Sequence, residues 1–428
     1  MLLKVLIVLA VMVIVYVAAK ALKLSVELGI FLAAVTGAFA GGMWLPLRHI
    51  AEGATTYLDL CLIFLTATVF MNIMKEAGAV DYAVRAIVER FRNRRPIALL
   101  LLMFLMLVPG ALTGAGSVSV LVVGGTVASA LGLMGISRDR VAAIIFFLAG
   151  LSAVAPPVNV WAMMTCAGTA IPYVGFEVPL AVSVLVLGVF TVFSLGLRRS
   201  ESADDRRSSD LPRPPAGMTP VRVALPFLVV FGLIIAARIW PHSMPVLGLP
   251  LVFGIAAAVA LMVSPRKINF FELSLRTTQQ LLPLLATCTV VGILIQIMTA
   301  TGVRGLLSLA VITMPIILIY VLLPVIIPIS EGVLTFGGAA VLGIPLIWTF
   351  NAIGMDPIIA LSGLSLLWFL GDALPPTAII ARLVFQTVGY KGTYLAFMKA
   401  SWVQWVAVAL VGTVMVVFSK ALTFLVVA

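Results

Sequence analysis

Long apolar runs separated by short polar segments dominate the sequence. Many of them approach or reach the ~20 residues that an α-helix needs to cross the hydrocarbon of a bilayer. They do not alternate apolar and polar positions, as the strands of a transmembrane barrel would. The pattern therefore predicts an all-α polytopic membrane protein. The runs cover residues 2–19, 28–46, 57–74, 96–108, 118–135, 141–171, 177–197, 223–240, 246–264, 281–299, 311–327, 337–353, 357–389 and 402–426.

Composition agrees with this class. Of the 428 residues, 63% are hydrophobic and 10% are charged, whereas soluble proteins carry about 25% charged residues. This excludes a soluble globular enzyme, a disordered chain and a disulfide scaffold. Cys61, Cys166 and Cys288 lie isolated in apolar runs, and His49 and His242 fall at predicted loop edges. No His, Cys and acid cluster suggests a catalytic metal or nucleophile, so we expect the protein not to be an enzyme.

Basic residues predict the orientation of the chain. We take the run 2–19 as a retained first helix with the N-terminus outside, and 96–135 as a hairpin that re-enters from inside. This arrangement leaves 21 of the 27 Lys and Arg on the cytoplasmic side, which satisfies the positive-inside rule. The net charge of +11 then belongs to cytoplasmic loops and not to a nucleic-acid surface. The basic segment 85–95 is expected to lie along the cytoplasmic interface and contact lipid.

Prolines and glycines recur at one constant spacing in the two halves. Pro109, Gly124, Gly135 and Pro156-Pro157 each have a counterpart in the second half, and the counterparts are Pro328, Gly343, Gly354 and Pro375-Pro376. Counting crossings makes the second half inverted relative to the first, as in many secondary transporters.

The sequence therefore divides into two inverted repeats joined by a hydrophilic linker. The first repeat, 1–197, has scaffold spans 1–75, an arm 76–95, a hairpin 96–135, a broken helix 141–171 and a span 177–197. The linker, 198–222, is predicted to be cytoplasmic. The second repeat, 223–428, has scaffold spans 223–299, a hairpin 311–353, a broken helix 357–389 and a last span 402–426.

Each repeat is predicted to break its helices twice within the membrane. A helix that ends at Val108, before Pro109, is too short to span, and the Gly- and Ser-rich stretch after it must be buried or line a polar cavity. The second half repeats this with a helix that ends at Ile327, before Pro328. The second break in each half is Pro156-Pro157 or Pro375-Pro376, because proline lacks the N–H that a helix needs. Taken alone, each proline or glycine favours a simple kink or close helix packing, whereas their duplication at constant spacing favours a binding site.

The motifs GALTGAGSVS at 110–119, MGIS at 134–137 and APP at 155–157 resemble the large membrane subunit of tripartite ATP-independent periplasmic (TRAP) transporters. GMDP at 354–357 and Pro375-Pro376 extend the resemblance over essentially the whole chain. It implies an elevator-type, Na⁺-driven importer of the bacterial inner membrane. It also implies that a periplasmic binding protein delivers an organic acid anion and that a small four-helix membrane subunit supports the scaffold.

Candidate ligands lie at the four breaks, where freed carbonyls suit Na⁺ and helix N-termini suit an anion. The expected first Na⁺ site comprises Thr113, Gly116, Ser117 and Ala155. The expected second Na⁺ site comprises Glu331, Gly332, Asp372 and Thr377. The expected substrate ligands are Ser119, Asn159 and Arg382.

Several alternatives remain open at this stage. Glu331 and Asp372 could carry protons instead of Na⁺, or simply lie in a hydrated pocket at helix ends. Arg382 could snorkel to the cytoplasmic face or pair with Asp372. Asp372 and the Ile329-Ser330-Glu331 run depart from the usual family pattern, so a related carboxylate transporter without a binding protein, coupled to Na⁺ or H⁺, is the main alternative. An ion channel is a further one.

Overall fold

The computed structural model describes residues 2–91, 93–197, 211–240, 242–245 and 247–426. These residues are helical, with turns and loops between the helices and no strand. Within them, eight helices are long and apolar enough to cross a membrane, or nine if one bent pair is counted as a single span. The protein is therefore a multi-pass helical membrane protein. Residues 198–210 of the predicted linker lie outside the described residues.

The described residues of the first half form ten helices. They are α1 (Leu2–Ala21), α2 (Val26–Ala40), α3 (Leu47–Thr55), α4 (Leu58–Glu76), α5 (Ala79–Arg90), α6 (Arg95–Thr113), α7 (Gly116–Leu133), α8 (Arg138–Val154), α9 (Val160–Thr169) and α10 (Glu177–Gly196). A π turn at Val120–Gly124 interrupts α7.

In the second half, ten helices and a short 3₁₀ turn at Thr423–Leu425 lie within the part of the chain that the structure describes. The helices are α11 (Pro220–Ile239), α12 (Leu249–Val263), α13 (Phe270–Ala300), α14 (Val303–Thr313), α15 (Ile316–Leu334), α16 (Ala339–Ala352), α17 (Pro357–Gly371), α18 (Ile379–Val388), α19 (Tyr394–Ala400) and α20 (Trp402–Val417). A π turn at Ala339–Gly343 opens α16. The axes of α19 and α20 differ by 66°.

Local features repeat between the halves at the spacing read from the sequence. The π turns begin at Val120 and Ala339, which are as far apart as Pro109 and Pro328. Gly135 and Gly354, at the same spacing, both have positive φ values, of 75° and 79°. Only glycine adopts such a φ at little cost, which explains its use in both turns. Both Pro-Pro peptide bonds are cis.

The helices pack as two groups. In one group, α1 packs on α2, α11 on α12, α12 on α4, and α13 on α2 and α3. The contact between α3 and α13 is close because Gly53 and Gly292 meet there: a Cβ on Gly292 would lie 2.1 Å from the Gly53 carbonyl oxygen. Small residues permit such approach between membrane helices. We call this group, α1–α4 with α11–α13, the scaffold group.

The other group contains the hairpins α6–α7 and α15–α16 and the broken helices α8–α9 and α17–α18, with α10 and α20 packed around them. We call it the core group. Its halves exchange partners: α9 packs on the π turn of α16, and α18 packs on the π turn of α7. Thr165 Oγ1 of α9 donates to the Ala339 carbonyl at 3.3 Å. Each hairpin is therefore held by the broken helix of the opposite half.

The predicted helix end at Val108 is wrong, since α6 continues through Pro109 to Thr113. A hydroxyl from the other arm of the hairpin satisfies the backbone beside the proline: the Gly110 N–H donates to Ser119 Oγ at 2.7 Å. Membrane helices tolerate proline when neighbours satisfy freed backbone groups in this way. Thr113 Oγ1 donates to the Pro109 carbonyl one turn back, at 2.7 Å. The chain breaks later, at Gly114, whose φ is 69°.

The predicted helix end at Ile327 is wrong as well, because the helix also continues through its proline. Helix α15 contains Pro324 and Pro328 and continues to Leu334. It ends at Thr335, which has a φ of 54°. Neither Pro109 nor Pro328 is therefore a helix break, and each hairpin tip lies a few residues further along the chain.

Other boundaries differ as well. The long helix α13 begins at Phe270, so it starts well before the apolar run 281–299. Residues 303–313 form a separate helix, so the second hairpin begins at Ile316 and not at 311. The last span ends at Val417 and not at 426. Apolarity continues across each of these boundaries, and hydropathy alone cannot locate a turn inside an apolar run.

The Pro-Pro pairs do separate helices. Helix α8 ends at Val154 and α9 begins at Val160, on either side of Pro156-Pro157. Helix α17 ends at Gly371 and α18 begins at Ile379, on either side of Pro375-Pro376.

Candidate substrate and ion site

A cavity of about 250 Å³ lies between the two hairpin tips and the scaffold group. Its scaffold wall comes from α2, α4 and α13, and its core wall comes from both tips, α7, α9, the second Pro-Pro break and α18. The polar residues of the wall are Glu27, Thr68, Asn72, Ser117, Gln280, Thr287, Thr335 and Asp372. This volume lies just below the range of about 300–1,000 Å³ that is common for ligand pockets, so it suits a small solute.

On the scaffold wall, polar side chains bridge neighbouring helices. The Asn72 amide donates to Thr277 Oγ1 at 2.9 Å, and Thr287 Oγ1 donates to the Glu27 carboxylate at 3.2 Å. Thr68 is 4% exposed, and its hydroxyl has no hydrogen-bond partner among the described residues. The wall thus retains polar groups with unused hydrogen-bonding capacity.

The structure brings together all four residues of the expected second Na⁺ site, with Asp372 in the core wall of the cavity and Glu331, Gly332 and Thr377 packed behind it. Thr377 Oγ1 donates to the Gly332 carbonyl at 2.9 Å, which ties the second Pro-Pro break to the second hairpin. A Cβ on Gly371 would lie 2.4 Å from Glu331 Cβ, so α17 and α15 are in backbone contact here. The Glu331 and Asp372 carboxyl groups are close enough to interact electrostatically.

Glu331 is buried without a partner. It is 1% exposed, and neither carboxyl oxygen has a hydrogen bond within the described residues. The indole N–H of Trp161 lies close enough to act on the Glu331 carboxyl, but the two groups do not meet the distance and angle of a hydrogen bond within the described residues. Asp372 is 6% exposed and lines the cavity. An ionised, unpartnered carboxylate is too costly to bury, so Glu331 must hold either a proton or a bound cation.

The residues of the expected first Na⁺ site are only partly assembled around the cavity. Gly116 and Ser117 belong to its wall. A Cβ on Gly116 would lie 2.4 Å from the Ala149 carbonyl oxygen, so α7 touches α8 here. Thr113 and Ala155 are buried but are not part of the wall. The first tip therefore offers a hydroxyl and backbone groups to the cavity, and no carboxyl.

Two expected substrate ligands, Ser119 and Asn159, make hydrogen bonds within the protein. Ser119 lies 2.9 Å from Ser152, hydroxyl to hydroxyl, and joins the first hairpin to α8. Asn159 bridges the first Pro-Pro break: its amide donates to the Val154 carbonyl at 3.1 Å, and its side-chain oxygen accepts from the Ala162 N–H at 3.0 Å. Both side chains lie outside the cavity wall, so their role as substrate ligands stays a prediction.

Arg382, the third expected substrate ligand, is also placed away from the cavity. Its side chain is exposed, and it donates to the Pro376 carbonyl at 2.7 Å. It therefore caps a carbonyl that the second Pro-Pro break leaves without a helical partner. A direct contact with substrate would require it to move.

Sequence reasoning missed the scaffold wall. Glu27, Thr68, Gln280 and Thr287 all lie in apolar helices, where a polar side chain marks a buried interface or a cavity. That signal was present in the sequence, but it does not say which helices meet. Asn72 has a polar counterpart in the second half, Gln296, at a slightly longer spacing than the prolines.

No protein-family model matches the chain, and no curated protein matches it. Among solved structures, the YdaH transporter of Alcanivorax borkumensis is similar, with a TM-score of 0.58 and 14% identity over 88% of each chain. MtrF of Neisseria gonorrhoeae, described as one of a class of antimetabolite efflux pumps, has a TM-score of 0.62 and 12% identity over 86% of this chain and 83% of its own. The chain has the fold of a membrane transporter.

The two neighbours come from a different family from the TRAP subunits, so the resemblance to that family stays a prediction. At identities of 12–14%, the likeness concerns the fold alone. The fold by itself does not identify the substrate, the coupling ion, the direction of transport or the partners.

Proposed function

We propose that this protein is a secondary active transporter that uses a cation gradient, with Na⁺ as the coupling ion, to move an organic acid anion across the bacterial inner membrane. The single observation that supports the coupling is the buried pair of Glu331 and Asp372. Glu331 lacks a partner in the described residues and sits beside a second carboxyl group that faces the cavity. Such a site gains most from a cation, which removes the cost of buried negative charge.

The proposed transport step is an elevator movement. The core group holds both hairpin tips and both Pro-Pro breaks, and it faces the scaffold group across the cavity. The two groups are joined in the described residues by apolar packing of α4 on α6 and by isolated hydrogen bonds, in which Tyr16 on α1 donates to the Val333 carbonyl and Lys75 on α4 donates to the Leu121 carbonyl. A core group held in this way can slide as a body. The two series of ten helices then represent the inverted repeats that such a mechanism uses.

The proposed partners follow from the resemblance to TRAP transporters. A periplasmic binding protein would deliver the anion, and a small four-helix membrane subunit would pack on lipid-facing apolar helices of the scaffold. The N-terminus is proposed to be periplasmic and the linker 198–222 cytoplasmic. The main alternative is a transporter that works without these partners and couples to Na⁺ or H⁺.

Reconstitution tests this proposal. Proteoliposomes with and without the proposed partners are given a panel of radiolabelled organic acids under a Na⁺ gradient, a pH gradient or neither. We expect saturable uptake that needs the Na⁺ gradient. Flux that never saturates would indicate a channel instead. Uptake that follows only the pH gradient would replace Na⁺ with H⁺, and movement outward would align the protein with the efflux neighbour.

Variants locate the coupling site. Glu331→Gln and Asp372→Asn should each reduce gradient-driven uptake about 5- to 150-fold, the range of a typical coupling free energy. Asp59→Asn is the matched control, because Asp59 is an exposed acid at the start of α4. If both core variants kept the ion dependence of the parent protein, the coupling ion would bind elsewhere.

A further inference from the structure

The charged side chains of the cavity wall are all acidic. Glu27 and Asp372 contribute carboxyl groups, and Glu331 lies just behind Asp372, whereas the described residues of the wall include no Lys, Arg or His. A basic group does lie beside the wall: the Lys75 ammonium donates to the carbonyl of the wall residue Leu121, but it also interacts with Asp81 and Glu76. A simple carboxylate would therefore enter a cavity that repels it.

The two carboxyl groups of the wall lie on opposite sides. Asp372 is on the core side, beside Glu331, where a coupling cation would neutralise it. Glu27 is on the scaffold side, in the first turn of α2. The hydrogen bond that it accepts from Thr287 uses one of about four acceptor positions of a carboxylate. Glu27 is therefore free to accept from a positively charged group in the cavity.

Further groups around the cavity suit such a charge. Thr68 Oγ1 is buried in the wall with no partner in the described residues. The rings of Trp161 and Phe336, both wall residues, have centroids 5.6 Å apart. Aromatic faces attract ammonium and guanidinium groups, and more strongly when water is excluded. An acid, a hydroxyl without a partner in the described residues and two aromatic rings thus line one cavity, and these are groups that suit an amine.

We propose that the transported solute carries a positively charged amine that binds Glu27, Thr68 and the Trp161–Phe336 face, so that the substrate class is an amine-bearing organic acid and not a simple carboxylate. This inference rests on the proposed function, which identifies the transported solute as an organic acid. Because Glu27 belongs to the scaffold group, this contact is made in the described position of the core group and is lost when the core group moves.

Thiol labelling tests the charge preference of the cavity without knowledge of the substrate. Ser117→Cys places a thiol on the wall, and methanethiosulfonate reagents that carry an ethylammonium or an ethylsulfonate group are compared by peptide mass spectrometry. The cationic reagent should react at least about tenfold faster than the anionic one, after correction for their rates with a free thiol, because an acidic cleft concentrates cations. Glu27→Gln in the same background should reduce this ratio, whereas Glu52→Gln, an exposed acid outside the cavity, should not.

Thr335→Cys, on the opposite tip, repeats the measurement if Ser117→Cys does not fold. A ratio equal to that of a free thiol, a ratio that Glu27→Gln does not change, or two thiols that neither reagent reaches would each overturn the proposal.

A second measurement separates this inference from the proposed function. Stabilisation of the purified protein by 5-aminopentanoate is compared with that by hexanoate, which replaces the ammonium with a methyl group. Preference for the amine, lost in Glu27→Gln, supports the inference even if gradient-driven uptake fails. Gradient-driven uptake with equal preference for hexanoate would overturn the inference and leave the proposed function intact.

Discussion

Replacing Gly371 with alanine tests the contact that holds the proposed ion site together. Gly371 ends α17 and does not have a positive φ, so alanine fits its backbone. Its new Cβ, however, would lie 2.3 Å from the Pro328 carbonyl oxygen and 2.4 Å from Glu331 Cβ. Neither atom is the end of a flexible side chain, so α15 and α17 must separate.

The required separation sets the magnitude. Cβ atoms essentially never approach other atoms within 3.0 Å, so the helices must separate by about 1 Å in a close-packed interior. Overpacking of this kind costs about 1–3 kcal/mol. The shift moves the Glu331 carboxyl away from Asp372. Cation affinity falls only by the part of the free-energy cost that is specific to the bound state; about 1.4 kcal/mol of such cost corresponds to a tenfold loss of affinity, and this is the size that we expect.

The assay is thermal unfolding of the purified protein over a series of Na⁺ concentrations. Gly371→Ala should lower the unfolding midpoint without Na⁺ and should need more Na⁺ to raise it. Gly232→Ala is the matched control, because a Cβ there meets nothing within 4 Å, and alanine in place of a helical glycine stabilises by about 0.5–1 kcal/mol. A Gly371→Ala protein with parental stability and parental Na⁺ response would refute the reasoning.

Three further variants examine the remaining contacts. Thr377→Val loses the hydroxyl that donates to the Gly332 carbonyl and should weaken Na⁺-dependent stabilisation, whereas Thr377→Ser should restore it. Asn159→Ala removes the bond across the first Pro-Pro break and the N-cap of α9. It should destabilise the protein by about 1–3 kcal/mol, and an unchanged midpoint in chemical unfolding would contradict this. Tyr16→Phe removes the bond to the second hairpin and should increase labelling of Thr335→Cys; equal labelling would show that this bond does not restrain the tip.

The sequence predicts the class and the Pro-Pro breaks well because both depend on local chemistry. A run of apolar residues crosses hydrocarbon whatever its neighbours are, and a Pro-Pro pair lacks two consecutive N–H donors in any surroundings. Pro109 shows the limit of this reasoning. Whether one proline ends a helix depends on hydroxyls such as that of Ser119, further along the chain, that satisfy the freed backbone.

The candidate site also contains residues that local sequence predicts and residues whose position depends on helix packing. Glu331 and Asp372 are predictable because charged residues are rare in apolar runs and therefore conspicuous. Glu27 is conspicuous too, yet its place on the cavity wall depends on how α2 packs against α13, and helix pairing is not encoded in hydropathy. The π turns are a clearer case still, since nothing in Val120–Gly124 or Ala339–Gly343 distinguishes a π turn from an ordinary helical turn.

The two halves share geometry but differ in charge, and this difference bears on how transport is driven. At the spacing that relates the two halves, Glu331 corresponds to Leu112 and Asp372 corresponds to Ala153. The first tip therefore repeats the breaks of the second without either carboxyl. A cation at the first tip would depend on carbonyls and the Ser117 hydroxyl, which bind Na⁺ but cannot hold a proton at neutral pH. Proton coupling would thus involve the second half alone, whereas Na⁺ coupling can use both, so the number of ions moved per solute distinguishes the two mechanisms.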